Sequence, residues 1–184
     1  MILSDRTIRG LSNNCGLIYP FDEDQLQPCS YDVRLDSRIK RFVKKDGVGV
    51  HVIDGSSKQL TGISMVDVGI ENGYTLEPGE FILGSTIEAV SIPDYLACRF
   101  EGKSSLGRIG LTTHVTAGFV DPGFRGTITL EIRNENQFQI LLKPGMLIGQ
   151  LCFFRLNTKV DRTYGSTYLG SHYQNQVGVT EARS

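Results

Sequence analysis

Short alternating segments that break at Pro-Gly or Gly-rich turns recur along this chain, and they limit its fold more than any other feature. In YTLEPGEFILGSTIEAVSIP two β segments flank Pro78-Gly79, the second apolar through Phe81, Ile82 and Leu83. In FQILLKPGMLIGQLCFFRL two more flank Pro144-Gly145. Between them TITLEIRN alternates cleanly, with Ile128, Leu130 and Ile132 on one face and Thr127, Thr129, Glu131 and Arg133 on the other. Upstream, SYDVRLDSRI reads as one strand with Tyr31, Val33 and Leu35 on one face; Asp32 and Arg34, on the other, are expected to be solvated. Helical periodicity is nearly absent. The pattern predicts an all-β architecture, an antiparallel barrel or jelly roll. One short N-terminal helix is expected, capped by Ser4, with Ile8 and Leu11 at helical spacing and an end near Gly10 to Asn14.

A chain of 184 residues suits one domain, long enough to bury a core without metals or disulfides. Its net charge is −1 with both signs scattered, which argues against nucleic acid or an anionic membrane as the partner. Cys15, Cys29, Cys98 and Cys152 lie far apart and form no short ligand spacing. Cys98 and Cys152 sit in apolar runs and read as buried thiols, so a reducing compartment fits better than a disulfide framework. The start, MILSDRTIRG, has charges by its fifth residue and no apolar signal core, and no apolar run reaches spanning length, so a cytoplasmic location is expected. Residues 36–75 are weakly patterned, with a turn at Lys44-Lys45-Asp46-Gly47 and a loop at Gly55-Ser56-Ser57. The last 24 residues are polar and rich in Gly, Ser and Tyr. Their composition favours a disordered tail; Tyr164, Tyr168 and Tyr173 with Gln174, Asn175 and Gln176 suit a segment that orders over a ligand.

The chemistry concentrates between Phe100 and Asn134. Ala97 to Ser104 fits a relaxed phosphate-loop pattern in which Ala replaces the first Gly, but that motif needs a following helix within a βαβ unit. Ser105-Leu106-Gly107-Arg108-Ile109-Gly110 places two glycines and a β-branched residue where the helix should start. The cluster still holds groups suited to phosphate: the Lys103 charge, the Ser104 and Ser105 hydroxyls, the Arg108 fork and flanking glycines. The alternative is a polar turn with Arg108 paired to a surface carboxylate. Thr116-Ala117-Gly118 has small side chains and exposed backbone, as needed to read the edge of a planar base. Asp121-Pro122-Gly123 closes that segment as a turn, and Asp121 alone is most simply its turn residue. Glu131, on the polar face of a rigid strand among hydroxyls, is a candidate general acid and base; a cross-strand ion pair with an arginine is the competing reading.

The run EGKSSLGR…HVTAGFVDPGF.G.ITLE…N, followed by PGM.IGQL, with YDVRL upstream and YG…GS.YQNQ.G downstream, closely resembles the dCTP deaminase branch of the dUTPase superfamily. The matches run in order from MILSD almost to the C-terminus. The resemblance implies a distorted dUTPase-like barrel over residues 1–160 and a tail, 161–184, that closes over the nucleotide. It also implies a homotrimer with active sites at subunit interfaces. Residue by residue, Lys103, Ser104, Ser105 and Arg108, with Leu106 and Gly107 between them, match the segment that binds the phosphates and orders the catalytic water. Ala117 and Gly118, Asp121, and Thr129 with Leu130 match the lining of base and sugar. Glu131 matches the catalytic acid/base, and Gln150, Tyr164 and Gln176 match further nucleotide contacts. The family usually has Lys before the final Tyr-x-x-Gln, where this chain has His172. A neutral imidazole is a weaker phosphate partner, so affinity or its pH dependence is expected to differ there.

Zinc nucleobase deaminases use H-x-E and P-C-x-x-C motifs, and neither occurs here, so no zinc is expected. Glu131 is then expected to take a proton from water attacking C4 of cytosine and deliver one to the departing ammonia, with Ser104 and Arg108 holding the water and the developing charge. Family members release either dUTP or, after α–β phosphate cleavage, dUMP and diphosphate. Ala-His-Arg in the hairpin resembles the first type and Ala-Gly-aromatic the second. This chain reads Ala117-Gly118-Phe119, so the dUMP-forming reaction is expected, with Asp121 orienting the second water. Mg2+ is expected to arrive on the phosphates rather than in a protein cage. A deaminase-only enzyme, a dUTPase-only relative and a nucleotide-sensing module are the alternatives, and dTTP inhibition is common in the family.

Overall fold

A computed structural model describes residues 1–183. Two antiparallel sheets enclose the core. The first runs Leu111–Thr112, Arg125–Asn134, Phe81–Ser91, Arg38–Lys44, Ile63–Gly69, with Ile18–Tyr19 also on Phe81–Ser91. The second runs Phe119–Val120, Leu96–Gly102, Leu147–Arg155, Ser30–Arg34, Leu26–Gln27. The mainly β, antiparallel reading stands, and the alternation that predicted it is visible in the packing. Leu130 and Ile132 are fully buried on one face of Arg125–Asn134 and meet Tyr31, Val33, Leu35, Phe100, Leu151 and Phe153 in a single apolar cluster.

Both Pro-Gly turns carry the chain between sheets instead of closing hairpins. Tyr74–Leu76, before Pro78-Gly79, pairs with Ile140–Leu142, while Phe81–Ser91, after it, pairs with Arg125–Asn134. The predicted strand SYDVRLDSRI is two strands. Ser30–Arg34 lies in the second sheet and Arg38–Lys44 in the first, because the chain turns a barrel corner at 35–37. There the Leu35 N–H donates to Met146 O and the Asp36 N–H to Ser85 O, both at 2.9 Å. Local alternation continues through such a corner and cannot reveal it.

The weakly patterned stretch 36–75 contains a long hairpin arm. Arg38–Lys44 pairs with Ile63–Gly69 from Arg38↔Gly69 to Lys44↔Ile63, and Val52–Ile53 with Leu60–Thr61 forms its tip. Much of the arm is half-buried or exposed on both faces, which explains the missing period-2 signal. The N-terminal helix spans Asp5–Cys15 and buries Ile8. Ser4 stands at its N-cap without a side-chain capping bond, and Gly16 ends it in the left-handed conformation. All four cysteines are free. Cys98 is buried and burial pushes its thiol pKa up, whereas Cys152 is only half-buried, since it points outward between inward-facing Leu151 and Phe153.

Asp32 and Arg34 are not a solvated face. Arg34 donates its N–H and its Nε to Glu88, at 2.8 and 2.7 Å, and Glu88 has no exposed surface. Gln25 Nε2 adds a third bond to that carboxylate at 3.0 Å. A buried charge tolerates such a site only when paired and hydrogen-bonded in this way. Asp32, 3% exposed, is held by Lys103. The polar side of this strand faces other strands and the 102–104 turn rather than water.

Candidate active site

Strand Arg125–Asn134 supplies the rigid element. Its polar face presents Thr129 and Glu131 beside Ser85 and Leu83 of the paired strand. A register irregularity lies between Thr127 and Thr129, next to the residues that the tail contacts. The Glu131 carboxylate accepts the Val115 backbone N–H at 2.8 Å, which ties the strand to the 113–118 loop. Among the described residues no arginine pairs with Glu131, so the ion-pair reading fails.

Glu131 and Thr129 lie in the wall of a cleft of about 590 Å³, a size suited to a nucleotide. Its lining includes Ala117, Asp121 and Phe124 together with Phe42, Met65 and Lys58 of the arm. Asp54, also in this lining, has its carboxylate pKa held well below the usual range by hydrogen bonds from the Ser56 and Ser57 hydroxyls and N–H groups. Asp121 is an exposed turn residue whose carbonyl accepts the Phe124 N–H at 3.1 Å.

The tail lies across this cleft. Gln176 forms a parallel bridge with Gly126; its carbonyl accepts the Thr127 N–H at 3.1 Å, and its Nε2 donates to Thr127 O at 2.6 Å. Gly126 has φ +135°, and a Cβ there would stand 2.4 Å from Gln176 O, so only glycine lets the tail approach. Tyr164 packs edge-on to Phe124, the Thr180 N–H reaches Thr129 Oγ1 at 3.3 Å, and Glu181 pairs with Lys40 at 2.9 Å. The composition-based expectation of disorder is therefore replaced by a packed segment. Gln176 Oε1 is buried without a partner, an acceptor available to a ligand donor.

Residues 2–156 match the family described as dCTP deaminase-like. The chain belongs to that family. The dCTP deaminase-like chain is 50% identical to a protein of Beutenbergia cavernae named "dCTP deaminase, dUMP-forming", over 100% of this chain and 95% of that protein. A protein of the same name from Rhodococcus opacus is 49% identical, over 100% of this chain and 96% of that one. The structure of 2'-deoxycytidine 5'-triphosphate deaminase from Agrobacterium tumefaciens superposes with a TM-score of 0.64 at 28% identity. That match covers 83% of this chain and 47% of the other.

Within this dCTP deaminase-like chain most of the residues singled out by sequence fall into two groups. Ala117, Asp121, Thr129, Glu131, Tyr164 and Gln176 line the cleft. Gly118 and Leu130 are buried behind it, and Gly118 is fixed by close packing: a Cβ would meet Phe100 O at 2.6 Å. The second group, Lys103 to Arg108 and Gln150, is absent from the lining. A single helical turn, Ser104–Gly107, follows strand Leu96–Gly102, with Ser104, Ser105, Gly107 and Arg108 exposed and Leu106 packed on the core. The antiparallel surroundings rule out a phosphate loop of the βαβ type. Among the described residues no carboxylate pairs with Arg108. Gln150 accepts the Ser30 hydroxyl and donates to Gly102 O. His172 is exposed, rests against the Tyr173 ring and is likewise absent from the lining.

Sequence reasoning missed the arm residues Phe42, Lys58 and Met65, which carried no periodic signal, and the burial of Asp32 against Lys103, where alternation suggested water. Among the described residues no helix is long and apolar enough to cross a membrane.

Proposed function

We infer that this chain converts dCTP to dUMP, ammonia and diphosphate, consuming two waters. The observation that carries the reading is Glu131, a carboxylate on a rigid strand in a nucleotide-sized cleft, tied to the loop that carries Ala117 and Gly118. The two relatives named dUMP-forming dCTP deaminases, matched over the full chain, support the same substrate and product.

In the first step Glu131 takes a proton from a water at C4 of cytosine and returns one to the leaving amine. The exposed backbone of the 113–118 loop reads the base edge, and Thr129 faces the sugar. Ser104 and Arg108 hold the water and the developing charge, while Lys103 and Ser105 bind phosphate. In the second step Asp121 orients a water at the α-phosphate, and Tyr164, Gln176 and His172 engage the nucleotide from the tail. Lys103 to Arg108 do not line the Glu131 cleft of their own chain, which supports a homotrimer whose sites combine one subunit's cleft with its neighbour's basic turn.

Among the described residues no cluster of three His, Cys, Asp or Glu could hold a metal ion. The exposed Asp121 at the cleft fits Mg2+ carried mainly by phosphate oxygens and water, with Asp121 as an outer partner. When bound, Mg2+ neutralises phosphate charge and favours departure of diphosphate.

Incubation with dCTP and Mg2+ followed by ion-exchange separation tests the reading. dUMP with stoichiometric ammonia and diphosphate is expected. Accumulated dUTP refutes the coupled step, and binding without turnover refutes the enzyme.

A further inference from the structure

We propose that Asp32 is a positioning residue for the phosphate-binding turn, holding the Lys103 ammonium where the nucleotide's anionic end must arrive. The proposal rests on the reading of residues 103–108 as that turn.

Three adjacent strands create the geometry. Gln150 stands opposite Glu101 on one side and opposite Asp32 on the other, so the three residues form a row across the second sheet. Lys103 follows the last residue of strand Leu96–Gly102 and reaches back over this row to Asp32, with Nζ 2.6 Å from Oδ2. The carboxylate side chain is 4% exposed and the lysine 24%, so the pair is anchored at its acidic end and open at its basic end. Gln27 Nε2 also donates to Oδ2, at 3.3 Å. Gln150 secures the same turn through the backbone: its Nε2 donates to Gly102 O at 3.2 Å while Ser30 Oγ donates to its Oε1 at 2.8 Å. Side chain and main chain of the turn are thus both fixed to strand-borne groups, the former to a carboxylate that water hardly reaches.

A lysine on an exposed turn otherwise samples many rotamers, and ordering it on binding weakens binding. A buried carboxylate removes that freedom beforehand. Asp32 Oδ1 is buried without a partner. The carboxylate therefore has an acceptor position to spare, and the Lys103 contact does not exhaust it.

Steady-state kinetics with dCTP of the full-length wild type, D32N, D32E, K103M and the D32N/K103M pair test this. Asn keeps the shape and removes the charge. D32N is expected to raise KM about tenfold with a much smaller change in kcat, as loss of a charge-assisted contact made in ground and transition states requires. D32E, which restores the charge, is expected to recover most of the KM. In the K103M background D32N is expected to have no further effect on KM, because Asp32 acts through Lys103. A lowered KM in D32N would show that Asp32 competes with phosphate for the lysine and would overturn the proposal, as would an unchanged KM or full additivity in the pair. Should D32N alone not fold, D32S, small enough to admit water beside the Lys103 ammonium, replaces it with the same expected rise in KM, and an unchanged KM in D32S overturns the proposal. Absence of turnover in the wild type contradicts the proposed function instead, and is seen before any variant is read.

Discussion

The Glu131 carboxylate and the Val115 backbone N–H are joined at 2.8 Å. This bond aims a strand-borne acid at the loop that meets the base. It also holds that loop in place before any ligand is present, a form of preorganisation. Replacing Glu131 by Gln keeps a hydrogen-bond acceptor for Val115 while removing the proton acceptor. E131Q is expected to bind dCTP in calorimetry and to lose about 10²–10⁴-fold in ammonia release. Near-normal ammonia release by E131Q contradicts the assignment.

Gly118 packs where a Cβ would stand 2.6 Å from Phe100 O, and Gly118 O accepts the Phe100 N–H at 2.7 Å. Gly118→His or Gly118→Arg forces the 113–118 loop away from strand Leu96–Gly102. If loop shape controls the second step, dUTP accumulates and dUMP formation falls about tenfold or more, about 1.4 kcal/mol in barrier. Unchanged dUMP yield on ion exchange argues against that control.

A mixture of E131Q and R108A subunits tests the shared site. Each variant alone is expected to be inactive. After co-refolding at equal amounts, about a quarter of the interfaces combine an intact Glu131 with an intact Arg108 from the neighbour, and ammonia release returns to roughly that fraction. A mixture as inactive as its components places both groups in one chain.

Glu88 has no exposed surface and neutralises Arg34, whose side chain is 27% exposed. E88Q leaves the guanidinium facing a neutral amide. Because Arg34 can still reach water, the expected loss is about 2–3 kcal/mol, below that of a fully enclosed pair. Urea unfolding measures it as a lower midpoint at unchanged slope.

Tyr31 and Tyr74 bear on alkaline stability. Burial pushes both phenols up to about 12 from the ordinary 10. A group whose folded pKa is raised contributes stability that is full below about pH 10 and is lost as the pH climbs toward 12. Chemical stability is therefore expected to decline over that interval. The near-ultraviolet absorbance titration is expected to show late ionising tyrosines whose step disappears in urea, and a single step near 10 in the folded protein contradicts this.

The alternation in TITLEIRN fixed which side of that strand is core and put Glu131 on the polar side, because a strand's side-chain period depends on local geometry alone. The mainly β character, the buried state of Cys98 and the chemical types within the 103–131 segment were legible for the same reason. Their ordered motifs also carried the family resemblance. What residues 36–75 and SYDVRLDSRI become was not legible. A corner at 35–37 and an arm exposed on two faces leave no periodic trace, and only sheet pairing reveals them. The tail shows the other limit. Its polar composition predicts little burial of its own, yet Thr127, 49 residues before Gln176, offers it a backbone partner, and Gly126 beside it a bridge. Asp32 marks the division most clearly: alternation put it correctly on the face opposite Tyr31 and Val33. Whether that face met water or Lys103 depended on the packing of three strands and a turn distant in sequence, because burial is a property of the assembled sheet.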